Sequence, residues 1–343
     1  MRAPRLRLPA TRRGRLAVVV PLALGALALA VWRAPDLDVV GEAFAFVDWG
    51  WVALAIAANL ASIGLRSVAW RIVVDQAVPP PAPPHRAVFA AFSVGLLGNA
   101  ALPGRVGEVA RVLVLARHVR RRAGAWATLV GTVLAHRLLD VVVAIVLVVY
   151  VVYAARIPDW ARPALAIALG VGIGLLIAGL LLARRENRLA LEGLGPIRRA
   201  LRLARQGLTV LKRPTPAVLA LVFQVLGWAT QLGAVAATLK AFEIDAPVAA
   251  AALVLVVMNL VMAFPLWPGN VGVVQAAVAL SLLPYGVGYA HGFAFGIGLQ
   301  AIEAGVGIAL GLVFLAREGF SFAMLRRIEV ADVDVDERVE RVA

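Results

Sequence analysis

Apolar residues in this chain fall in long unbroken runs rather than in alternating or strongly amphipathic patterns. Leu16 to Trp32, Trp49 to about Leu65 (continuing toward Trp70), Gly124 to Ala155, Pro163 to Ala183 and Pro214 to Leu239 each have about the length that carries a helix across a bilayer. From Ala246 to Ile302 there is no Asp, Glu, Lys or Arg. As one helix that stretch would be on the order of 85 Å long, so it must fold back more than once. The first run follows Arg2, Arg5, Arg7, Arg12, Arg13 and Arg15. A basic start and a short apolar stretch also fit a signal peptide, with Ala28 and Ala30 near a cleavage point. The many later spans, and Trp32–Arg33 as an interface anchor, favour a retained first helix.

The charges between the runs set the orientation, because arginine and lysine concentrate on the cytoplasmic side. The N-terminal arm is basic, Arg66, Arg71 and Arg86 mark the second connection, Arg117 to Arg122 the third, and residues 184–213 are rich in arginine and lysine. The connection with Asp36, Asp38, Glu42 and Asp48 is acidic, and the turns near Asp159 and Glu243 are nearly neutral. Both termini are therefore expected inside. Residues 86–118 then begin and end on the cytoplasmic side, and their two apolar pieces, Ala87 to Leu102 and Val106 to Leu115, are short for full spans. They read as a re-entrant hairpin broken at Pro103–Gly104. The same reasoning gives an outer hairpin from Val248 to Phe264 and Val271 to Leu283, broken at residues 265–269. The expected fold is all-α: a polytopic membrane helical bundle of about six full crossings plus two re-entrant hairpins.

Composition agrees. Of 343 residues 62% are hydrophobic and 16% charged, with a mean hydropathy of +0.88. Soluble chains run near 45–50% apolar and about 25% charged, so this surplus needs lipid as its solvent. There is no cysteine, which excludes disulfides and thiolate chemistry, and His85, His118, His136 and His291 form no zinc-type pair. No P-loop is present, so no nucleotide, metal or other cofactor is implied. The net charge of +14 points to orientation and anionic lipid rather than to nucleic acid.

The two breaks resemble each other. Residues 103–109 read Pro-Gly-Arg-Val-Gly-Glu-Val and 268–274 read Pro-Gly-Asn-Val-Gly-Val-Val, identical at five of seven positions. Three crossings separate them, so the hairpins enter from opposite faces, as in the inverted repeats of transporters. The hairpin breaks are Pro103, Gly104 and Gly107 in the first half, and Pro268, Gly269 and Gly272 in the second. Arg105 would stand at the N-terminus of a half-helix, where free N–H groups and a guanidinium together suit a phosphate. Glu108 and Arg111 follow at helical spacing. An Arg–Glu–Arg network that only makes burial bearable is the competing reading. Arg137 and Asp140 lie one turn apart with His136 beside them; a tether between helices is as good a reading as a substrate role. Arg66 and Arg71 can snorkel to headgroups or line the mouth of a cavity, with snorkelling the safer reading. Glu303 is a proton-coupling candidate at mid-span, or a hydrogen-bond donor to Gln300 or Asn259. The glycines of the last span, Gly292 to Gly311, read as close helix packing.

The stretch Asn99-Ala-Ala-Leu-Pro-Gly-Arg-Val-Gly-Glu-Val-Ala-Arg111 resembles the signature of the lysylphosphatidylglycerol synthase transmembrane-region family, whose members are also called flippase-like. Leu65-Arg66 through Trp70-Arg71, His136-Arg137-Leu-Leu-Asp140 and Pro268-Gly269 are similar to it as well. The resemblance spans roughly residues 15–316 and implies movement of a lipid or lipid-linked headgroup between leaflets. Two-part members carry a soluble aminoacyl-transferase domain; residues 317–343 are too short for one, so lipid aminoacylation is not carried over. Such proteins often have a glutamate shortly after the second glycines, where this chain has Gln275.

The sequence thus predicts a basic cytoplasmic arm at 1–15, one transmembrane domain at 16–316 and an acidic tail at 317–343. The hairpins fall at about 86–118 and 247–284. The expected function is translocation of an anionic or zwitterionic phospholipid or polyprenyl-linked lipid in the cell membrane. Arg105, Glu108, Arg111, Asn99, Arg137, Asp140, Asn270 and Gln275 are the candidate substrate contacts. The alternatives are a membrane-embedded lipid-phosphate transferase or hydrolase, with Glu108 or His136 as acid/base, and an assembly partner that binds anionic lipid. Expected partners are membrane lipids, a second copy of the chain or a separate lipid-modifying enzyme.

Overall fold

The computed structural model describes residues 37–101, 106–119, 125–184, 213–264 and 268–317. The arm, the first apolar run, the basic loop and the acidic tail lie outside them. Among the described residues there are ten α-helices: α1 (Leu37–Ala45), α2 (Trp49–Ala77), α3 (His85–Ala101), α4 (Val106–Ala116), α5 (Ala125–Ala154), α6 (Ala161–Arg184), α7 (Pro214–Ala241), α8 (Val248–Met262), α9 (Val273–Leu282) and α10 (Tyr289–Arg317). There is no strand among the described residues. Five helices, α2, α5, α6, α7 and α10, are long and apolar enough to cross a membrane. The chain is an all-α membrane bundle. Helix α1 was not foreseen: it buries Val40 and sets Phe44 edge-on to Phe242 at 5.3 Å.

Local chemistry fixes the ends. Asp48 caps α2, its carboxylate accepting from Gly50 N at 2.7 Å. Pro214 opens α7, where a missing N–H costs nothing. In α8 every residue from Ala249 to Met258 is buried, as a helix that is hydrophobic all round should be. Helix α6 lies at the periphery against α5, and most of its side chains face outward.

A repeat of four helices is plain in their lengths. Helices α2 to α5 have 29, 17, 11 and 30 residues; α7 to α10 have 28, 15, 10 and 29. Each repeat builds its own apolar core, one around Trp70, Leu97 and Leu115, the other around Leu255, Phe295 and Leu299. The repeats share their fourth helices: α10 packs on α3 as well as on its own α9, and α5 packs on α8 as well as on its own α2 and α4. The seam between them is the long contact of α2 with α7. There Ser62 Oγ donates to Gly227 O at 2.7 Å, across a separation of 165 residues. Pro103 and Pro268 are also 165 residues apart, so equivalent positions of the two repeats meet at the seam.

Candidate functional site

The short helices pack in pairs across the two breaks, α3 on α4 and α8 on α9. In the first pair the backbones nearly touch: Gly107 sits against Gly95 O, and Gly107 N donates to Asn99 Oδ1 at 3.0 Å. In the second, residues 268–270 form one 3₁₀ turn with Gly269 and Asn270 at positive φ, and Gly272 likewise starts α9 at positive φ. Gly272 N donates to Gln275 Oε1 at 2.6 Å. Gly107 and Gly272, equivalent in the repeat, thus each bond a side-chain amide oxygen. The 3₁₀ turn of the second break also packs on α3, so the hairpins converge.

Asn270 and Gln275 were expected to face a substrate. Asn270 is buried and donates to Val261 O and Phe264 O, both at 2.9 Å. Gln275 is buried, bonds Gln300 through its amide, and Gln300 in turn bonds Gly269 O. These amides hold the broken backbone in place, because a loop at membrane depth must satisfy its polar groups from within the protein. Pro103, Gly104 and Arg105 lie outside the described residues, and so does the anion-binding role given to Arg105; the side chain of Pro268 does too.

Where α2, α4, α5 and α7 meet, charged side chains gather. Asp140 is 7% exposed and is the hub. Its carboxylate takes Arg66 Nη2 at 3.0 Å, Arg137 Nη1 at 3.1 Å, Trp228 Nε1 at 3.0 Å and a bond from Gln224. Arg137 also pairs with Glu108, and Glu108 lies 3.3 Å from Arg111 Nε. The chain of ion pairs joins Arg111, Glu108, Arg137, Asp140 and Arg66: three guanidinium groups against two carboxylates. Arg111 is buried with its guanidinium 4.3 Å from the Trp70 ring, a cation–π seat that offsets part of its desolvation. His136 is buried and its Nε2 meets Arg66 O at 3.2 Å, as a core histidine would.

Arg66 does not snorkel. It turns inward over Trp228, with its Cζ 5.5 Å from the ring, and Gly227 leaves the room: a methyl there would lie 2.5 Å from Arg66 Cγ. Sequence reasoning missed Gln224, Trp228 and Gln231. The signal was present, since amides seven residues apart with an indole between them mark one face of an otherwise apolar helix. Glu303 was paired in expectation with Gln300 or Asn259; instead it accepts from Gln231 Nε2 at 2.5 Å. Among the described residues, no group of His, Asp and Glu side chains converges as a metal site.

Several donors and acceptors of the cluster are unused. Arg66 Nε, Arg111 Nη2 and Gln224 Oε1 are buried and have no hydrogen-bond partner among the described residues. Such groups are rare in folded proteins unless a ligand or water meets them. Arg137 is the accessible edge, its side chain 40% exposed. Beside the cluster, α5, α6 and α8 frame a half-open cavity of about 590 Å³ lined mostly by carbon, with Val148, Leu165, Leu175 and Val257 among its walls. Trp228 belongs to both: it lines the cavity and bonds Asp140.

A helical bundle of repeated halves with long apolar helices and buried charge defines an all-α polytopic membrane protein. The chain belongs to the lysylphosphatidylglycerol synthase TM region family, whose profile matches residues 16–311. No curated protein and no solved structure matches the chain.

Proposed function

We propose that this protein moves an anionic or zwitterionic phospholipid, or a polyprenyl-linked lipid, between the leaflets of the cell membrane, with both of its own termini in the cytoplasm. The observation that carries the reading is the junction at Trp228. An amphiphile has a charged head and an apolar tail, and here a cation-rich cluster and a carbon-lined cavity share one residue. The excess guanidinium attracts a phosphate. Arg137 is its first contact, being the exposed member. The tail lies in the half-open cavity between α5, α6 and α8. The paired short helices act as hairpins entering from opposite faces. They close the path on alternate sides, so that the headgroup passes through polar surroundings while its chain stays in oil.

The test is leaflet exchange by the purified chain in liposomes containing a dye-labelled phosphatidylglycerol, with dithionite quenching of the outer leaflet as readout. The reading predicts full quenching for the wild type, and loss of most of the exchange for Arg137→Ala at normal folding. Quenching that stops at the outer-leaflet fraction for every lipid tried would overturn it. A new lipid product would assign an enzyme instead; the burial of His136 argues against that reading, since it leaves this residue out of a substrate's reach.

A further inference from the structure

Each fourth helix of the repeat carries a carboxyl near its middle, Asp140 in α5 and Glu303 in α10, the second two residues short of the 165-residue register. Arg66 of α2 reaches Asp140, the sixteenth residue of α5. Gln231 of α7, 165 residues after Arg66, reaches Glu303, the fifteenth residue of α10. Both bonds run from the same position of the first helix of a repeat to the middle of its fourth helix. The seam that relates them passes through Ser62 and Gly227, one turn from Arg66 and Gln231. One half therefore carries Arg–Asp where the other carries Gln–Glu.

The two carboxyls are served unequally. Asp140 holds two guanidinium groups, an indole and an amide. Glu303 holds one neutral amide, and no ion pair of its own is formed with any described residue. Arg66 packs its Cγ on Gly227, one turn from the Gln231 that bonds Glu303, and its own helix α2 also packs on α10. Of the other ionisable groups on helices packed against α10, α9 has none, α3 carries only His85 and Arg86 in its first turn, α1 carries Asp38 and Glu42, α2 adds Arg71 and Asp75, paired with each other, and α7 adds Lys240, paired with Asp245. Arg66 Nε is also still without a hydrogen-bond partner among the described residues.

We propose that Arg66 is a transferable charge, passing from Asp140 to Glu303 as the two repeats change places, with Glu303 releasing a proton when the guanidinium arrives and regaining one when it leaves. The inference rests on the translocation reading and adds its driving force. In the state described here Glu303 is the neutral acid, because a lone carboxylate at this depth is costly. On transfer its O–H proton goes to water on the side then open, the carboxylate pairs with Arg66, and Asp140 keeps Arg137 as its counter-ion. A phosphate bound beside Arg66 and Arg137 loosens the Arg66–Asp140 pair by competing for the guanidinium, which links headgroup binding to the proton step.

The experiment compares wild type with Glu303→Gln in the same liposomes, with and without an imposed gradient of about one pH unit, a tenfold ratio of proton activity. A lumenal pH dye is read in parallel. Glutamine keeps an oxygen for Gln231 and cannot lose a proton, so folding should be retained. The expected result is a several-fold faster, directional exchange in wild type under the gradient, accompanied by proton movement. Exchange by Glu303→Gln should be the same at every gradient and carry no protons. Wild-type exchange indifferent to the gradient, or a Glu303→Gln variant that still responds to it, would overturn the inference and leave translocation standing. Wild type that exchanges no lipid at any pH would instead remove the translocation reading, and the inference with it.

Discussion

Replacing Gly107 by alanine should open the first hairpin, and the structure gives the size of the effect. A methyl at Gly107 would overlap Gly95 O on α3 and lie 2.5 Å from Asn99 Oδ1. Neither neighbour is the free end of a flexible chain: one is helix backbone, the other is fixed by the Gly107 N–H it accepts. The helices must therefore separate. Overpacking of this kind costs about 1–3 kcal/mol, and the strained Asn99 hydrogen bond adds roughly 0.5–1.5 kcal/mol. Alanine returns about 1 kcal/mol through its helix propensity, so the net loss is about 2 kcal/mol. For a domain of this size that lowers the melting midpoint by roughly 3 °C. Gly305→Ala is the control, since nothing lies within 4 Å of a methyl there. Thermal unfolding in detergent, followed by fluorescence-detected gel filtration, measures both. A Gly107→Ala midpoint equal to that of Gly305→Ala would refute the close crossing of α3 and α4.

Other outcomes test other parts of the account. Asp140→Asn leaves Arg66 and Arg137 facing a neutral amide and should destabilise by about 3–5 kcal/mol; adding Arg66→Gln should recover part of it, a coupling that a double-mutant cycle reads directly. Ser62→Ala removes one buried bond at the seam and should cost only about 1 kcal/mol, measured by the same melting assay. Pro84→Cys and Val119→Cys, placed singly in this cysteine-free chain, should both label from the cytoplasm, and Asp245→Cys and Gly288→Cys from outside. Labelling of either pair from opposite sides would remove that hairpin.

The helices were legible because a membrane span needs only length and apolarity, and both are local. The two short pairs were legible because Pro and Gly recur at matching places. Helix α1 was not, since nine residues with Asp38 and Glu42 look like a loop until Val40 and Phe44 find α10 and Phe242. The cluster was half legible. Arg137 and Asp140 sit one turn apart, and Glu108 and Arg111 likewise, so their pairing follows from helical spacing. The pairing of Arg66 was not legible because its partner lies 74 residues away, and a single sequence carries no record of which helices touch. The same distance hid Gln224, Trp228 and Gln231. The bonds that Asn270 and Gln275 make to the second break were not legible for a different reason. The positive φ angles at Gly269, Asn270 and Gly272 turn the chain in a way no periodicity encodes, and the amides face the loop rather than a path.

The central claim is that the charged cluster and the neighbouring cavity together hold one lipid by its phosphate and its tail. Mass spectrometry of lipid retained by the purified protein measures this most directly. Wild type should carry about one phosphate-bearing lipid per chain, and Arg137→Ala, equally well folded, should carry little. Equal retention by the two proteins, or retention of neutral lipids alone, would contradict the claim.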